Sequence, residues 1–291
     1  KQGLKLHFYY SHLDWKRDDY PLGGTGHGTG RLEQKGNWES YYQFMNNQLT
    51  ELLTNYGPIG AIWFDGVWDQ SPDFDWQLEK QYELIHKLQP ACLIGNNHHR
   101  TPIAGEDFQM FERDLPGENK AGYSAGQEVS TLPLETCETM NRTWGYNIED
   151  QDYKSTEQLI HLLVRAAGKN ANLLLNVGPQ PNGELPVTAV QRMYEIGEWL
   201  KQYGETIYGT QAGDIEPHLW GVSTKKDNRL FVHILDLQDK CLYVPLKAKV
   251  KRAIQFSDGT KIAFEQDHEG VLLRLPKVPN EIDYVVELQL K

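Results

Sequence analysis

The sequence predicts an α/β protein: a (β/α)8 TIM-like barrel whose N-terminal strands are absent from this chain, followed by a C-terminal antiparallel β-sandwich. Up to about residue 209, short apolar runs alternate with amphipathic segments, which is typical of parallel βα units. Beyond that point, apolar runs follow one another at roughly ten-residue spacing and are separated by turn residues, which is typical of a sandwich. We therefore expect a barrel domain over residues 1–209 and a sandwich domain over residues 210–291.

The strands predicted for the barrel are short runs of apolar residues. Residues 59–64 (IGAIWF) contain no charged side chain, as expected for a strand that is buried on both faces. The predicted set is 4–10, 59–64, 91–95, about 107–111, about 134–139 and 172–177. Because a complete barrel needs eight strands, we expect two or three more to precede residue 1. An open doubly wound sheet is the alternative, but the usual glycine fingerprint does not follow the first strand.

Four segments with helical periodicity connect these strands. In residues 39–56, Tyr41, Met45 and Leu49 fall on one face, and Gly57 and Pro58 then end the helix. The other predicted helices are 76–88, 155–167 and 187–203. The glycine-rich stretch from Pro21 to Gly30 lacks the Lys-Ser/Thr pair of a P-loop, so we interpret it as a surface loop.

The C-terminal region reads as strands with turns between them. Several of its apolar runs alternate with polar residues, so one face of each strand is predicted to be buried. The predicted strands are 230–235, 241–244, 250–256, 270–275 and 284–290.

Composition excludes several classes of function. The 29 basic against 40 acidic residues give a net charge of −11, which disfavours a nucleic-acid partner. No apolar stretch has the roughly 18 residues needed for a membrane span. The cysteines, Cys92, Cys137 and Cys241, are too widely spaced for a zinc or CxxC motif, and we expect three buried thiols.

Polar residues at the ends of predicted strands are the best candidates for chemistry, because barrel active sites lie there. Asp65 ends an apolar run and is either functional or a cap for the next segment. Glu112 follows another strand and stands beside Arg113 and Asp114, so membership of a surface ion pair is the alternative. Two carboxylates at different strand ends in an aromatic-rich cleft are what a glycosidase requires.

His98 and His99 follow the strand at 91–95. Adjacent side chains of an extended segment point in opposite directions, so the pair is not expected to bind one metal ion. We expect substrate hydrogen bonding or a structural role instead, and we predict no metal site and no cofactor.

Four motifs carry a resemblance to a known family, in the family's order along the chain. They are WFDG (63–66) with Trp68 nearby, GEDFQMFERDLPG (105–117), ETCETMNRTWGY (135–146) and LLLNVGPQPNGELP (173–186). Over about residues 4–210 the sequence resembles the family 29 α-L-fucosidases. The resemblance implies a retaining exo-glycosidase that removes terminal α-linked L-fucose from oligosaccharides or glycoconjugates, without a cofactor.

The resemblance also implies roles for individual residues. Asp65 takes the position of the nucleophile and Glu112 that of the acid/base, with Glu106 and Glu118 as the next candidates for the acid. The residues expected to bind the sugar are Tyr9, Tyr10, Trp63, Trp68, His98, His99 and Trp144.

Two other functions stay open at this stage. A carbohydrate-binding protein that has lost catalysis has similar aromatics and a similar sandwich, although binding alone does not need a pair of carboxylates. A related retaining glycosidase, such as a galactosidase, is the second. The resemblance implies a periplasmic or secreted bacterial protein, and the oligomeric state stays open.

Overall fold

The structure is a computed structural model that describes residues 3–21 and 35–291. Apart from Pro21, the glycine-rich stretch lies outside the described residues. The chain divides into two compact units, Lys1–Glu135 and Thr136–Lys291. The predicted domain boundary after residue 209 stays a prediction.

The first unit is built from parallel strands and the helices that connect them. The bounds are β1 (His7–Ser11), α1 (Trp38–Asn55), β2 (Ala61–Asp65), α2 (Leu78–Leu88), β3 (Leu93–Asn96) and β4 (Gln109–Glu112). Strands β1, β2 and β3 form a parallel sheet in that order. The parallel βα units predicted from the sequence are confirmed here.

The two faces of this sheet have different roles. Ile62 and Phe64 of β2 are fully buried in a core that also contains Leu49 of α1 and Ile85 of α2. Because side chains alternate along a strand, Trp63 and Asp65 lie on the opposite face. That second face carries the candidate site.

The second unit begins within β5 (Leu134–Thr139), which crosses the division, and continues with α3 (Thr156–Gly168), β6 (Ala171–Asn176) and α4 (Val187–Tyr203). A capping box starts α3: Ser155 accepts a hydrogen bond from the Gln158 N–H, and the Gln158 side chain accepts one from the Ser155 N–H. Each of these elements lies within two residues of its predicted bounds.

The rest of the second unit is an antiparallel β-sandwich. Its strands are β7 (Gln211–Ala212), β8 (Gly221–Lys226), β9 (Arg229–Ile234), β10 (Cys241–Val244), β11 (Val250–Gln255), β12 (Ala263–Gln266), β13 (Val271–Arg274) and β14 (Tyr284–Leu290). One sheet has the order β11-β14-β9-β8-β7 and the other β10-β13-β12. Both sheets contribute to one core, in which Val232 and Val286 of the first meet Val244 and Leu273 of the second. The predicted sandwich is confirmed, with three further strands: β7, β8 and β12.

The cysteine prediction is wrong at one position. Cys92 and Cys137 are buried free thiols, whereas Cys241 is exposed. Cys241 lies on β10, where alternate side chains face away from the sandwich core. None of the helices within residues 3–21 and 35–291 has the length and apolar character to cross a bilayer.

Candidate active site

Asp65 is the last residue of β2, and two hydrogen bonds orient its carboxylate. The Tyr9 hydroxyl donates to Oδ2 at 2.8 Å, and the Gly66 N–H donates to Oδ1 at 2.8 Å. Gly66 has a φ of 97°, which a residue with a Cβ adopts only under strain. The WFDG motif therefore has a local cause, because glycine allows the turn that returns a backbone N–H to Asp65.

Glu112 is the last residue of β4 and is held by the loop after β3. The Asn97 side-chain amide donates to Glu112 Oε2 at 2.8 Å, and His99 Nε2 lies 3.5 Å from the same oxygen. The Glu112 side chain is 16% exposed, so it is not the solvated ion-pair partner that the sequence left open. Two neighbours of Glu112 have left-handed backbones: His99, which contacts its side chain, and Arg113, which follows it in the chain. Their φ values are 56° and 57°, and such strain often accompanies functional sites.

Asp65 and Glu112 lie in one electrostatic environment. Tyr9 is 62% exposed, yet its pKa is raised, first by the partial burial of its hydroxyl beside Asp65 and then by the charges of both carboxylates. Tyr9 therefore keeps its proton and is the donor to Asp65. Burial also lowers the pKa of His99, against the opposing effect of the same two carboxylates, so His99 is neutral near pH 7.

His98 belongs to a separate, buried network. Its Nδ1 accepts a hydrogen bond from the Arg100 N–H at 3.0 Å, so the proton is on Nε2, which donates to Glu106 at 2.8 Å. The Tyr82 hydroxyl also donates to Glu106, at 3.0 Å, and the Glu106 side chain is 1% exposed. This geometry favours the structural role for His98 and leaves His99 as the histidine beside Glu112.

Trp63 lies on the same face of β2 as Asp65, and it contacts Glu135 of β5. Trp63 stacks on Tyr9 with ring centroids 5.5 Å apart, and its indole N–H donates to Glu135 Oε1 at 2.8 Å. Burial raises the pKa of Glu135, while the hydrogen bond from Trp63 acts in the opposite direction. Glu135 thus fixes the ring that supports Tyr9, and Tyr9 in turn orients Asp65.

The fold and this geometry agree with the comparisons with known proteins. Residues 1–205 match the family model described as alpha-L-fucosidase. The plasma alpha-L-fucosidase of Rattus norvegicus is 35% identical over 204 residues, which is 66% of this chain and 41% of that protein. The structure of alpha-L-fucosidase isoenzyme 1 from Paenibacillus thiaminolyticus is 32% identical, with a TM-score of 0.82, and the match covers 100% of this chain and 73% of that one.

The chain belongs to the α-L-fucosidase family.

This family member spans only part of the length of its relatives. The alpha-L-fucosidase of Dictyostelium discoideum is 26% identical over 296 residues, and the match covers 95% of this chain but 60% of that protein. The share of the rat protein is smaller still, at 41%.

The structure separates the remaining sugar-binding candidates. Tyr10 points to the opposite face from Tyr9, where its hydroxyl donates to Gln48 of α1 at 2.7 Å. Trp68 is 45% exposed on the turn after β2 and makes an edge contact with Trp15. Trp144 belongs to the second unit, where its carbonyl accepts a hydrogen bond from Asn176 at 2.8 Å. Tyr9, Trp63 and His99 are brought together around the carboxylates, and Tyr10 is not.

Three residues outside the set expected to act or to bind sugar support this group: Asn97, Glu135 and His12. Asn97 and His12 follow predicted strands, where polar side chains are candidates for chemistry, whereas Glu135 has no such signal. Asn97 had one signal, since it follows the strand ending at residue 95 as Asp65 follows its own strand. Glu135 lies near the start of β5 rather than at its end, and only packing against Trp63 reveals its contact. Within the described residues, no group of three or more potential metal ligands occurs.

His12 supports the backbone of Asp65. It is fully buried, its backbone N–H donates to the Asp65 carbonyl at 2.7 Å, and its Nε2 lies 2.8 Å from the Gln81 side-chain oxygen. Burial lowers the pKa of His12 to about 4, so the imidazole is neutral and donates to Gln81.

The titration of His12 predicts a loss of stability in acid. In the unfolded chain His12 has its ordinary pKa near 6.5, so it is protonated below that pH. In the folded chain its pKa is about 4, so between pH 6.5 and 4 only the unfolded chain binds this proton. The free energy of unfolding should therefore fall as the pH decreases from 6.5 to 4, by up to about 3 kcal/mol from this group. Urea unfolding across this range should show a shallower pH dependence for His12→Gln than for wild type. The exposed His268→Gln should keep the wild-type dependence, and equal slopes in all three proteins would contradict the prediction.

Proposed function

We propose that the protein is a retaining exo-α-L-fucosidase that acts on terminal fucose of oligosaccharides or glycoconjugates. The observation that carries the proposal is the convergence of Asp65 and Glu112 on Tyr9 and His99, in a chain of the α-L-fucosidase family. Because the relatives are longer than this chain, the tests of this proposal use the protein at its full natural length.

The proposed reaction is a double displacement. Asp65 attacks the anomeric carbon of fucose, the bond to the leaving oxygen breaks, and a covalent glycosyl-enzyme forms. Glu112 gives its proton to the leaving oxygen, and then takes a proton from the water that releases fucose with retained configuration. The Tyr9 hydroxyl keeps Asp65 in one orientation for the attack.

The contacts of Glu112 fit the role of acid. Asn97 donates a hydrogen bond to Oε2 of Glu112, and His99 Nε2 lies 3.5 Å from the same oxygen. Among the described residues, the other oxygen, Oε1, accepts no hydrogen bond. A proton on Oε1 is thus free to meet a glycosidic oxygen. Glu106 is enclosed with His98 and Tyr82, so it lacks this freedom. Glu118 forms an ion pair with the exposed Lys120 at 2.7 Å and stays the next candidate for the acid.

The fucose pocket is proposed to include the aromatic rings near Asp65. Trp63 and Tyr9 present a stacked surface beside the carboxylate, which suits the methyl group and apolar face of fucose. Trp68, on the turn after β2, stays a candidate for a further wall of the pocket. The expected contact of Trp144 with the sugar stays a prediction. We propose a periplasmic or extracellular location, consistent with the plasma enzymes among the relatives, and cell fractionation would test it.

The nucleophile is tested with Asp65→Asn. The amide has the same shape but is a poor nucleophile, so kcat on aryl α-L-fucosides should fall roughly a thousandfold or more. Added azide should restore turnover and give β-fucosyl azide as the product. The exposed Asp73→Asn is the matched control and should keep wild-type activity.

Two results would contradict this assignment. Normal hydrolysis by Asp65→Asn would remove Asp65 from the mechanism. Wild-type hydrolysis of aryl galactosides in preference to fucosides would favour the galactosidase alternative, and binding of fucose without any turnover would favour the non-catalytic one.

The acid is tested with Glu112→Gln. General acid catalysis is worth roughly 10²- to 10⁴-fold, and poor leaving groups need it most. The variant should therefore lose that much kcat/KM on fucosyl disaccharides, but much less on aryl fucosides with acidic phenols. Glu128→Gln, on an exposed side chain, should behave as wild type. A leaving-group-dependent loss in Glu135→Gln instead of Glu112→Gln would transfer the role to Glu135.

We further propose that the parallel strands belong to a (β/α)8 barrel and that the sandwich starts near residue 210. In the described chain β1 is an edge strand with free backbone groups, and an edge of this kind needs a partner. The relatives' greater length supports further strands there.

Hydrogen exchange tests barrel completion. In the full-length protein, the β1 amides that point away from β2 should be protected from exchange. Residues 1–291 expressed alone should be insoluble, or molten and inactive, because that edge then has no partner strand. Rapid exchange of these amides in an active full-length protein would mean that β1 is a true edge and that no closed barrel forms.

A further inference from the structure

The loop between β4 and β5 is built around a buried aspartate. Asp114 is 2% exposed and accepts hydrogen bonds from the backbone N–H groups of Lys120 and Ala121, at 2.7 and 3.1 Å. Further along, the Gln127 side chain donates to the Met110 carbonyl of β4 at 2.7 Å. These contacts tie the loop to the strand that ends in Glu112.

Tyr123 is carried on this loop and reaches back to the candidate site. Its ring stacks on His99 with centroids 5.5 Å apart and an interplanar angle of 26°, and it is 47% exposed. His99 Nε2 in turn lies 3.5 Å from Glu112. The two rings therefore extend from Glu112 towards solvent, and the large exposed fraction of Tyr123 is available to a ligand.

His99 carries a second sign of an incomplete site. Its Nδ1 is buried and has no hydrogen-bond partner in the described part of the chain. A buried polar atom without a partner is uncommon in a finished protein interior and needs a ligand, a water molecule or another explanation. The strained backbone of His99, with a φ of 56°, holds the ring in this place.

The reaction itself fixes what lies beside Glu112. The acid must reach the oxygen that joins fucose to the rest of the substrate, within about 3 Å. The first ring of the leaving group is bonded to that oxygen, so it lies within a few ångströms of Glu112. An aromatic side chain there can stack on the apolar C–H face of a pyranose, and Tyr adds a hydroxyl for a sugar hydroxyl.

We propose that Tyr123, supported by His99, is a specificity-determining residue for the leaving group, and that it binds a pyranose ring attached to fucose. This inference rests on the proposed function. It adds that the enzyme prefers fucose linked to a sugar over fucose linked to a small group. The competing explanation is that the stack with His99 only closes the loop and that Tyr123 never touches substrate.

The experiment compares a substrate with a leaving sugar to one without. Methyl α-L-fucoside has the same fucose and an alcohol leaving group that also needs a proton from the acid, but it has no ring to contact Tyr123, whereas a fucosyl disaccharide presents one. For Tyr123→Ala, the ratio of kcat/KM on the disaccharide to kcat/KM on the methyl fucoside should fall about 3- to 10-fold, the usual worth of an aromatic contact. Tyr123→Phe, which keeps the ring, should retain most of the ratio. Tyr56→Ala, at an exposed tyrosine at the end of α1, should retain all of it.

Each outcome decides the question. An equal loss of kcat/KM on both substrates in Tyr123→Ala would show a loop-closing role and overturn the inference. Wild-type kcat/KM on both substrates in this variant would overturn it as well. If the ratio falls as far in Tyr123→Phe as in Tyr123→Ala, stacking of the Tyr123 ring on a sugar is excluded as the cause and the inference is overturned. A wild-type enzyme that hydrolyses neither substrate would overturn the proposed function together with this inference. Activity of the wild type with an unchanged ratio would overturn only the role of Tyr123.

Discussion

The parallel pairing of β1 with β2 is the constraint on which the candidate site depends. Its register sets Tyr9 opposite Trp63 and Ser11 opposite Asp65. The Tyr9 hydroxyl can then reach Asp65 across the strands, while its ring stacks on Trp63. A shift of one residue would turn Tyr10 towards Asp65 and bury Tyr9 among the helices, because side chains alternate between the two faces.

Buried polar networks hold the ends of these strands. The backbone N–H of His12 donates to the Asp65 carbonyl, and its neutral imidazole donates to Gln81. His98 donates to Glu106 within a second buried network. Both histidines are enclosed, so their value lies in fixing positions rather than in exchanging protons with substrate. The two adjacent histidines differ in surroundings. The His98 side chain is buried against Glu106, whereas the His99 side chain lies beside Glu112.

The candidate carboxylates are supported by different elements. Asp65 is oriented by groups of β1 and by the turn at Gly66, whereas Glu112 is oriented by the loop after β3. This division allows one oxygen of Glu112 to stay open while both oxygens of Asp65 are held. Such an asymmetry suits a nucleophile, which must keep its direction, and an acid, which must exchange a proton with two different partners.

The sequence by itself determined most of the elements and the two strand ends that carry the candidate carboxylates. Apolar runs and helical periodicity gave the helices and strands of the first unit to within a few residues, because burial of one face or both faces leaves a direct mark on residue type. It missed β8 (GVSTKK) and β12 (AFEQ), since pairing with β9 and β13 rather than their own apolar content makes them strands. The four motifs indicated the family, and two of them contain the candidate carboxylates Asp65 and Glu112.

Only the tertiary structure decided which side chains meet these carboxylates. The sequence could not separate Tyr9 from Tyr10 or His98 from His99, because each pair is adjacent and identical in type. Strand register places Tyr9 rather than Tyr10 beside Asp65. The left-handed backbone of His99 itself turns its ring, and not that of His98, towards Glu112. Asn97, Glu135 and Tyr123 join the site through contacts between segments far apart in the chain, and such contacts leave no pattern in any one segment.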